Sequence, residues 1–418
     1  MNVYVIGTSC TPFGKHAHRS FPDLGRQAWL EVLADAGLQP SDAGLVEQLW
    51  FGSCGMGQWG QGGIRGQVCF TPLVEEGLFP ERVPTVNVEG GCATASLAFH
   101  GAWKDVLSGQ TQVSVAVGVE KLVSPDRPER VPEIFGTAID QLDPARWQDY
   151  YRRAGQECGK PFEPGPGRTV YMDTYAMQAA WHMKVHGTTQ RQIAVAASKN
   201  HHHGSLNPKA QYRFEVSVDE VLADREVSWP LTRSMCSPLG DGAAAAIVCS
   251  EAALAHFPPQ ARARAVKVRA CTLSGGKYRR LDEPGLSRVA ADKAYARAGL
   301  QPTDIDVVEL HDATSFCEIY QLEMLRLCPA GKGGRFVESG ATALGGALPV
   351  NVSGGLVSKG HPIGATGLSM VHELCLQLRG EAGTRQVAGA STGLIENGGG
   401  VMGFDEAACA VTILEKTR

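Results

Sequence analysis

Four short stretches of this 418-residue chain carry residue types able to do covalent chemistry. In GGCATASLAFHGAWKDVLSG (90–109), two glycines lead into Cys92 and an Ala-rich, helix-forming run follows. That places Cys92 at a strand-to-helix turn, where unpaired N–H groups and the helix dipole favour a thiolate. The same N–H groups can donate to an oxyanion. Read locally, Cys92 is either a nucleophile or a small buried residue packing a tight turn. In SGGLVSKGHPIGATGLSMVHELCLQLRG (353–380), glycines surround His361 and Pro362 fixes the chain behind it. A histidine beside a cysteine supplies a base to make the thiolate and an acid for the leaving group. The alternative is a structural histidine in a glycine turn.

The third stretch is VVELHDATSFCEIYQLEMLRL (307–327). An apolar strand ends at His311, and strand ends in α/β folds are where ligand groups gather. His311 is placed to hydrogen-bond a carbonyl oxygen or a water. Asp312 is read as a cap of the following helix, and Cys317 as helix core. The fourth, GASTGLIENGGGVMGFDEAACAVTILEK (389–416), has Glu396 and Asn397 just before the glycines at 398–400. Three consecutive glycines bring backbone very close to something.

The elements that position these residues repeat. VNVEGGC (86–92) and VNVSGGL (350–356) share five of seven letters. ADAGLQPSDAGLVE (34–47) echoes ARAGLQPTDIDVVE (296–309), at an offset of 262 (309 − 47), against 264 (350 − 86) for the VNV turns. Two echoes at nearly one offset indicate an internal duplication, with a period far too long for a solenoid. The halves open with apolar, β-branched strands at 2–10 and 265–275. Helices follow at 22–37 and 286–299, with Gly37 and Gly299 as C-terminal caps and Pro40 and Pro302 just beyond. Strands at 112–120 and 243–250 complete an alternating α/β pattern with covered sheets. The expected division is an N-terminal half at 1–120 and 236–262, an inserted unit at 121–235 and a C-terminal half at 263–418. The pseudo-twofold brings both VNV turns to one pocket, with Cys92 and His361 within hydrogen-bonding reach or one water of it.

The formal net charge of −4 gives no reason to expect nucleic acid or an anionic membrane as partner. None of the 12 cysteines forms a CxxC pair, so zinc-ribbon spacing is missing and no metal is expected in this chain. The N-terminus starts like a strand, and the expectation is a cytoplasmic protein with reduced, mostly buried thiols. The insert is rich in aromatics, histidine and proline, which suits substrate recognition, dimer contact or covering of the site. His201, His202 and His203 diverge along the chain and are read as a solvated turn rather than a metal site.

The four stretches, in order and spanning nearly the whole chain, resemble the thiolase family. Cys92 matches that family's acyl-accepting nucleophile, and His361 matches the histidine of its GHPxGA motif. His311 in HDAT resembles the HDxF of the sterol-carrier-protein-x and archaeal types, where common thiolases read NEAF. LNPKAQYR (206–213) resembles a loop of the same subgroups. The resemblance implies a thiolase fold: two duplicated βαβ-type halves in five layers, α-β-α-β-α. It also implies an acyltransferase with coenzyme A as substrate, a homodimer, and a small OB-fold, zinc-ribbon subunit as a further partner.

The chain departs from the family at its second thiol. Common thiolases carry CxGGG where this chain reads ENGGG, and the HDCF cysteine of the sterol-carrier-protein-x type is Ala313 here. The implied reaction begins with attack of Cys92 on the 3-oxo carbonyl of a 3-oxoacyl-CoA. An enolate then leaves toward His311 and His361, and CoA collects the acyl group. The oxyanion would lie against the Cys92 N–H and the backbone of Gly399 and Gly400. With no second cysteine, Glu396, desolvated and with a raised pKa, is the expected proton donor to the α-carbon, with Asn397 beside it and Cys317 as the lesser candidate. Three readings stay beside thiolysis: a condensing or acyl-transferring relative, an acyl-CoA-binding scaffold subunit and a retro-aldol lyase. The aromatic insert hints at an aryl substrate such as benzoylsuccinyl-CoA, with acetoacetyl-CoA and medium-chain substrates open.

Overall fold

The computed structural model describes residues 1–165 and 168–417. Nine strands make the main sheet: β1 (Val3–Cys10), β2 (Gln48–Gly52), β3 (Thr85–Val88), β4 (Val113–Glu120), β5 (Gly242–Ser250), β6 (Val266–Gly275), β7 (Val307–Leu310), β8 (Thr392–Gly399) and β9 (Ala408–Lys416). Their order is β3-β2-β4-β5-β1-β6-β9-β8-β7. Outward from the β1–β6 junction, both sides follow one plan. One side runs β1, β5, β4, β2, β3. The other runs β6, β9, β8, β7, and then a parallel bridge from Val308 to Val350 stands where β3 stands.

The doubled VNV turn is therefore one element seen in each half. Val86 pairs with Trp50, and Val350 bridges to Val308. The other echo holds only in part. QPSD and QPTD build the same cap, with the Gln39 and Gln301 N–H groups donating to Asp42 and Asp304 at 2.8 and 2.7 Å. Trp50 and Val308, however, are 258 residues apart (308 − 50), whereas the caps are 262 apart (301 − 39). The tight turn after Pro40 runs on to Leu45, but the one after Pro302 stops at Asp304. The extra residues carry LVE (45–47) out of register with VVE (307–309).

Helices Phe21–Asp35 and Leu286–Ala298 follow the opening strands, and Gly37 and Gly299 both have φ of +68°. Helices Thr94–Ser108 and Thr366–Arg379 each follow a VNV turn. They pack against one another and against strands of both halves. The outer face of one half is covered by Phe21–Asp35 and Arg65–Glu75, that of the other by Leu286–Ala298 and Ser315–Met324. This gives the five layers α-β-α-β-α. The pairs Tyr4↔Lys267 and Val5↔Val266 join the two sheet halves edge to edge. Every residue of β5, GAAAAIVCS, is buried, as both faces of a covered sheet require.

Between β4 and β5 the chain forms helices that include Arg130–Gly136, Pro144–Cys158, Val170–His186 and Gln190–Ser205. Many of its aromatics serve packing: Trp147, Tyr151 and Phe162 share a cluster with Phe404. The histidine triplet is not a solvated turn. It lies in the last turns of helix Gln190–Ser205, with His201 and His203 buried. The His203 ring ties this helix to the second VNV turn: Nδ1 meets the Asn351 carbonyl at 3.0 Å and Nε2 accepts the Leu344 N–H at 3.0 Å. No helix among the described residues is long and apolar enough to cross a membrane.

Candidate active site

Cys92 sits in a single tight turn, Gly91–Ala93, immediately ahead of helix Thr94–Ser108. The turn is pinned from inside. The Thr94 hydroxyl donates to the Gly91 carbonyl at 2.7 Å and accepts the Gly90 N–H at 2.9 Å. The Cys54 thiol donates to the same Gly91 carbonyl at 3.1 Å. The end of β8 closes the turn from outside. A Cβ on Gly399 would lie 2.6 Å from the Cys92 nitrogen, and one on Gly91 2.9 Å from the Gly400 Cα. This close approach is what the consecutive glycines permit.

His361 Nε2 lies 3.1 Å from Cys92 Sγ, across the pseudo-twofold. Its other nitrogen, Nδ1, is 2.8 Å from the Thr366 hydroxyl. That hydroxyl donates its own proton to the Pro362 carbonyl at 3.0 Å, so its lone pair is free to accept from Nδ1–H. The tautomer follows: Nδ1 carries the proton, and Nε2 presents a lone pair to the thiol.

The helix dipole does not make Cys92 a thiolate at rest. Burial, reinforced by the charge of Glu120, pushes the thiol up to about 12. Cys92 precedes the first helical residue by two positions, and desolvation outweighs the dipole there. Burial, then the neighbouring His311 and Lys359, holds the His361 imidazolium well below the ordinary histidine range. The resting pair is thiol and neutral imidazole.

His311 directly follows β7. Its ring meets that of His361 edge-on, with centroids 5.2 Å apart. Cys92 Sγ and one ring nitrogen each of His311 and His361 all lie within 4.8 Å of one another. His311 Nε2 is buried with no partner among the described residues. Burial lowers His311 to about 4, so the ring is neutral and can serve as a hydrogen-bond donor. The same three atoms are close enough to converge on a cation. A cation there would take the His361 Nε2 lone pair away from the Cys92 thiol.

Asp312 does not cap its own helix, whose N-cap is Thr314. Its carboxylate accepts the Leu356 N–H at 2.7 Å and the Asn200 amide at 2.8 Å. It thereby holds the turn after the second VNV. Glu396 and Asn397 are consecutive on β8, so their side chains take opposite faces. Asn397 accepts the Ser96 hydroxyl at 2.7 Å, in the layer of central helices. Glu396 is fully buried: Oε2 accepts the His311 N–H at 3.1 Å, and Oε1 accepts the Cys409 thiol at 3.4 Å. Cys317 is buried in helix Ser315–Met324, 3.4 Å from the Thr314 hydroxyl, and burial raises its thiol.

Several residues near the thiol escape a reading of the sequence. Tyr171 and Tyr175 stand four apart on helix Val170–His186. Burial raises both phenols, and both lie close enough to Cys92 to sense a thiolate formed there. Phe135 packs edge-on against Tyr171, with centroids 5.4 Å apart, and also joins the apolar group around Cys92. The i, i+4 spacing of the two tyrosines was a usable signal. Glu406, whose charge reaches Cys92, Cys317 and Glu396, gave none.

Known proteins share this architecture over its full length. Residues 3–225 match the family description "Thiolase, N-terminal domain", and residues 284–416 match "Thiolase C-terminal domain-like". The chain is 36% identical to an acetyl-CoA acetyltransferase of Methanothermobacter thermautotrophicus, covering 96% of this chain and 97% of that one. It is 36% identical to human sterol carrier protein 2 over 97% of this chain and 73% of the relative. It is 30% identical to the benzoylsuccinyl-CoA thiolase subunit BbsB of Thauera aromatica, over 92% and 91%. Among solved structures, the Ltp2-ChsH2(DUF35) aldolase superposes with a TM-score of 0.77 at 23% identity, covering 100% of this chain and 98% of that one. Human mitochondrial 3-ketoacyl-CoA thiolase in complex with CoA gives 0.68 at 16%, again over 100% and 98%. With both halves matched and relatives aligned almost end to end, the chain belongs to the thiolase family.

Proposed function

We propose that this thiolase-family acyltransferase cleaves a 3-oxoacyl-CoA with free CoA, or forms it in reverse, through an acyl group carried on Cys92. The observation that carries the reading is the 3.1 Å contact between Cys92 Sγ and a His361 nitrogen whose tautomer is set by Thr366. His361 takes the thiol proton as sulfur attacks the 3-oxo carbon, so the thiolate need not accumulate. The oxyanion lies against the backbone of Cys92, Gly399 and Gly400. The C2–C3 bond breaks, and the enolate oxygen is held by His311 and His361. The α-carbon then takes a proton from a carboxylic acid beside the end of β8. CoA attacks the acyl-Cys92 thioester and its thiol proton returns to the protein. A retro-aldol reading has no use for a thiol held against a base in this way.

Phe135, Ile134 and Leu122 wall the thiol with apolar surface, and Tyr171 packs behind Phe135. These side chains support an aryl acyl group, as benzoylsuccinyl-CoA would present. The outer edge of β3 supports pairing with a second copy of the chain. The DUF35 component of the aldolase neighbour supports a further small subunit, of the OB-fold, zinc-ribbon kind. The test is turnover of benzoylsuccinyl-CoA, acetoacetyl-CoA and medium-chain 3-oxoacyl-CoAs with CoA, followed by loss of the enolate absorbance. Thiolysis is expected for wild type and not for Cys92→Ser. Turnover by Cys92→Ser would refute the covalent route.

A further inference from the structure

The residue that hands the proton to the α-carbon must combine a labile proton, access to the substrate and a fixed position. Glu396 meets the first demand but not the second. It is 0% exposed, and its two oxygens are engaged by the His311 N–H and the Cys409 thiol. Cys317 is buried in its own helix and bonded to Thr314.

A second carboxyl group stands on the same face of β8. Two residues beyond Glu396, Gly398 leaves its side-chain position empty, and Glu406 folds back to fill it. A Cβ on Gly398 would lie 2.5 Å from Glu406 Cγ, 2.8 Å from Cδ and 3.0 Å from Oε1. Gly399, the next residue, is the one packed on the Cys92 nitrogen. Unlike Glu396, Glu406 is partly exposed.

The loop that presents Glu406 is clamped. Asp405, its neighbour, points the other way, into a buried ion pair with Arg279 at 2.8 Å, and also accepts the Leu286 N–H at 3.1 Å. Arg279 reaches on to Gln178 of the insert at 2.7 Å. Tyr151 donates to the Gly403 carbonyl, and Tyr150 accepts the Phe404 N–H at 3.2 Å. Asp405 and Glu406 thus divide two tasks, one anchoring the loop and the other standing over Gly398.

We infer that Glu406 is the catalytic acid–base that exchanges a proton with the substrate α-carbon, taking over the task of the missing second cysteine. This rests on the acyl-Cys92 reading above. In thiolysis, the C2–C3 electron pair passes to the enolate, and C2 takes the proton of the Glu406 carboxylic acid. The resulting carboxylate recovers a proton from the CoA thiol as its sulfur attacks acyl-Cys92. In the condensing direction, the Glu406 carboxylate removes the C2 proton. Burial and the charge of Asp405 raise Glu406 to about 7, so both protonation states are populated near neutrality. Glu396 is a positioning residue: it holds the His311 backbone, and burial and the charge of Glu406 keep its carboxyl protonated.

The test separates acyl transfer from α-proton transfer in the full-length protein. Acetyl-CoA and benzoyl-CoA report acylation of Cys92 by intact mass. Acetyl-CoA and succinyl-CoA in D2O report hydrogen exchange at C2. Glu406→Gln is expected to reach the wild-type extent of Cys92 acylation, more slowly because the departing CoA sulfur loses its proton donor, and to lose exchange by roughly 10²–10⁴-fold, with partial recovery in Glu406→Asp. Gly398→Ala, which displaces Glu406 without removing it, should lower exchange while acylation persists. Wild-type exchange in Glu406→Gln with Cys92 acylated would overturn the assignment. No acylation of Cys92 in wild type would instead overturn the reading on which it rests.

Discussion

At the residue scale, the site is built from groups kept neutral by burial. Thr366 decides which nitrogen of His361 faces the thiol. Replacing it with valine should lower kcat/KM about 5–10-fold, the worth of one net hydrogen bond, and leave substrate KM nearly unchanged. Steady-state kinetics with Thr366→Val and its Ser counterpart would check this, with Ser restoring the rate. Glu396 makes a prediction about pH. Burial, then the charge of Glu406, raises its carboxyl to about 8 in the folded chain, against about 4.3 when unfolded. The folded state therefore binds the extra proton between these values, and stability falls as pH rises from about 4.3 toward 8. In Glu396→Gln the melting temperature should decline less over that window. An unchanged slope would show that Glu396 ionises freely in the fold.

At the element scale, the end of β8 is the part that closes on the Cys92 turn. Gly399→Ala would push a methyl group into the Cys92 turn, where the neighbours are backbone and cannot rotate away. A loss of roughly 1–3 kcal/mol in denaturant unfolding is expected, along with a larger loss of acylation rate. This is also the scale at which the sequence was most readable. VNV, GGC, GHP and GGG are short, and each owes its meaning to local geometry. The Cys92–His361 contact was foreseeable because a duplicated strand-and-turn must meet its copy. The LVE/VVE echo misled because a longer turn after Pro40 shifts the register while the letters stay alike. Asp312 was misread because a helix N-cap is a local habit, whereas its carboxylate bonds a turn 44 residues away. Glu406 was invisible because its placement depends on an ion pair between Asp405 and Arg279, 126 residues apart.

At the scale of the whole molecule, duplication supplies the frame and the insert couples to it. The Arg279–Asp405 pair is buried, with side chains 1% and 5% exposed, and Gln178 of the insert completes it. Removing one partner strands a charge. Asp405→Ala should cost about 3–5 kcal/mol and release the loop carrying Glu406, which chemical denaturation and limited proteolysis at 400–407 would both register. An unchanged stability would mean the pair is not closed in solution. The central claim concerns Cys92 and His361 together, and rapid-quench intact-mass analysis with an acyl-CoA tests it most directly. One acyl group per chain is expected, mapped to Cys92 and discharged by CoA, with His361→Asn slowing its formation by roughly 10²–10⁴-fold at unchanged melting temperature. An adduct on another cysteine, no adduct, or an unslowed His361→Asn would contradict the account.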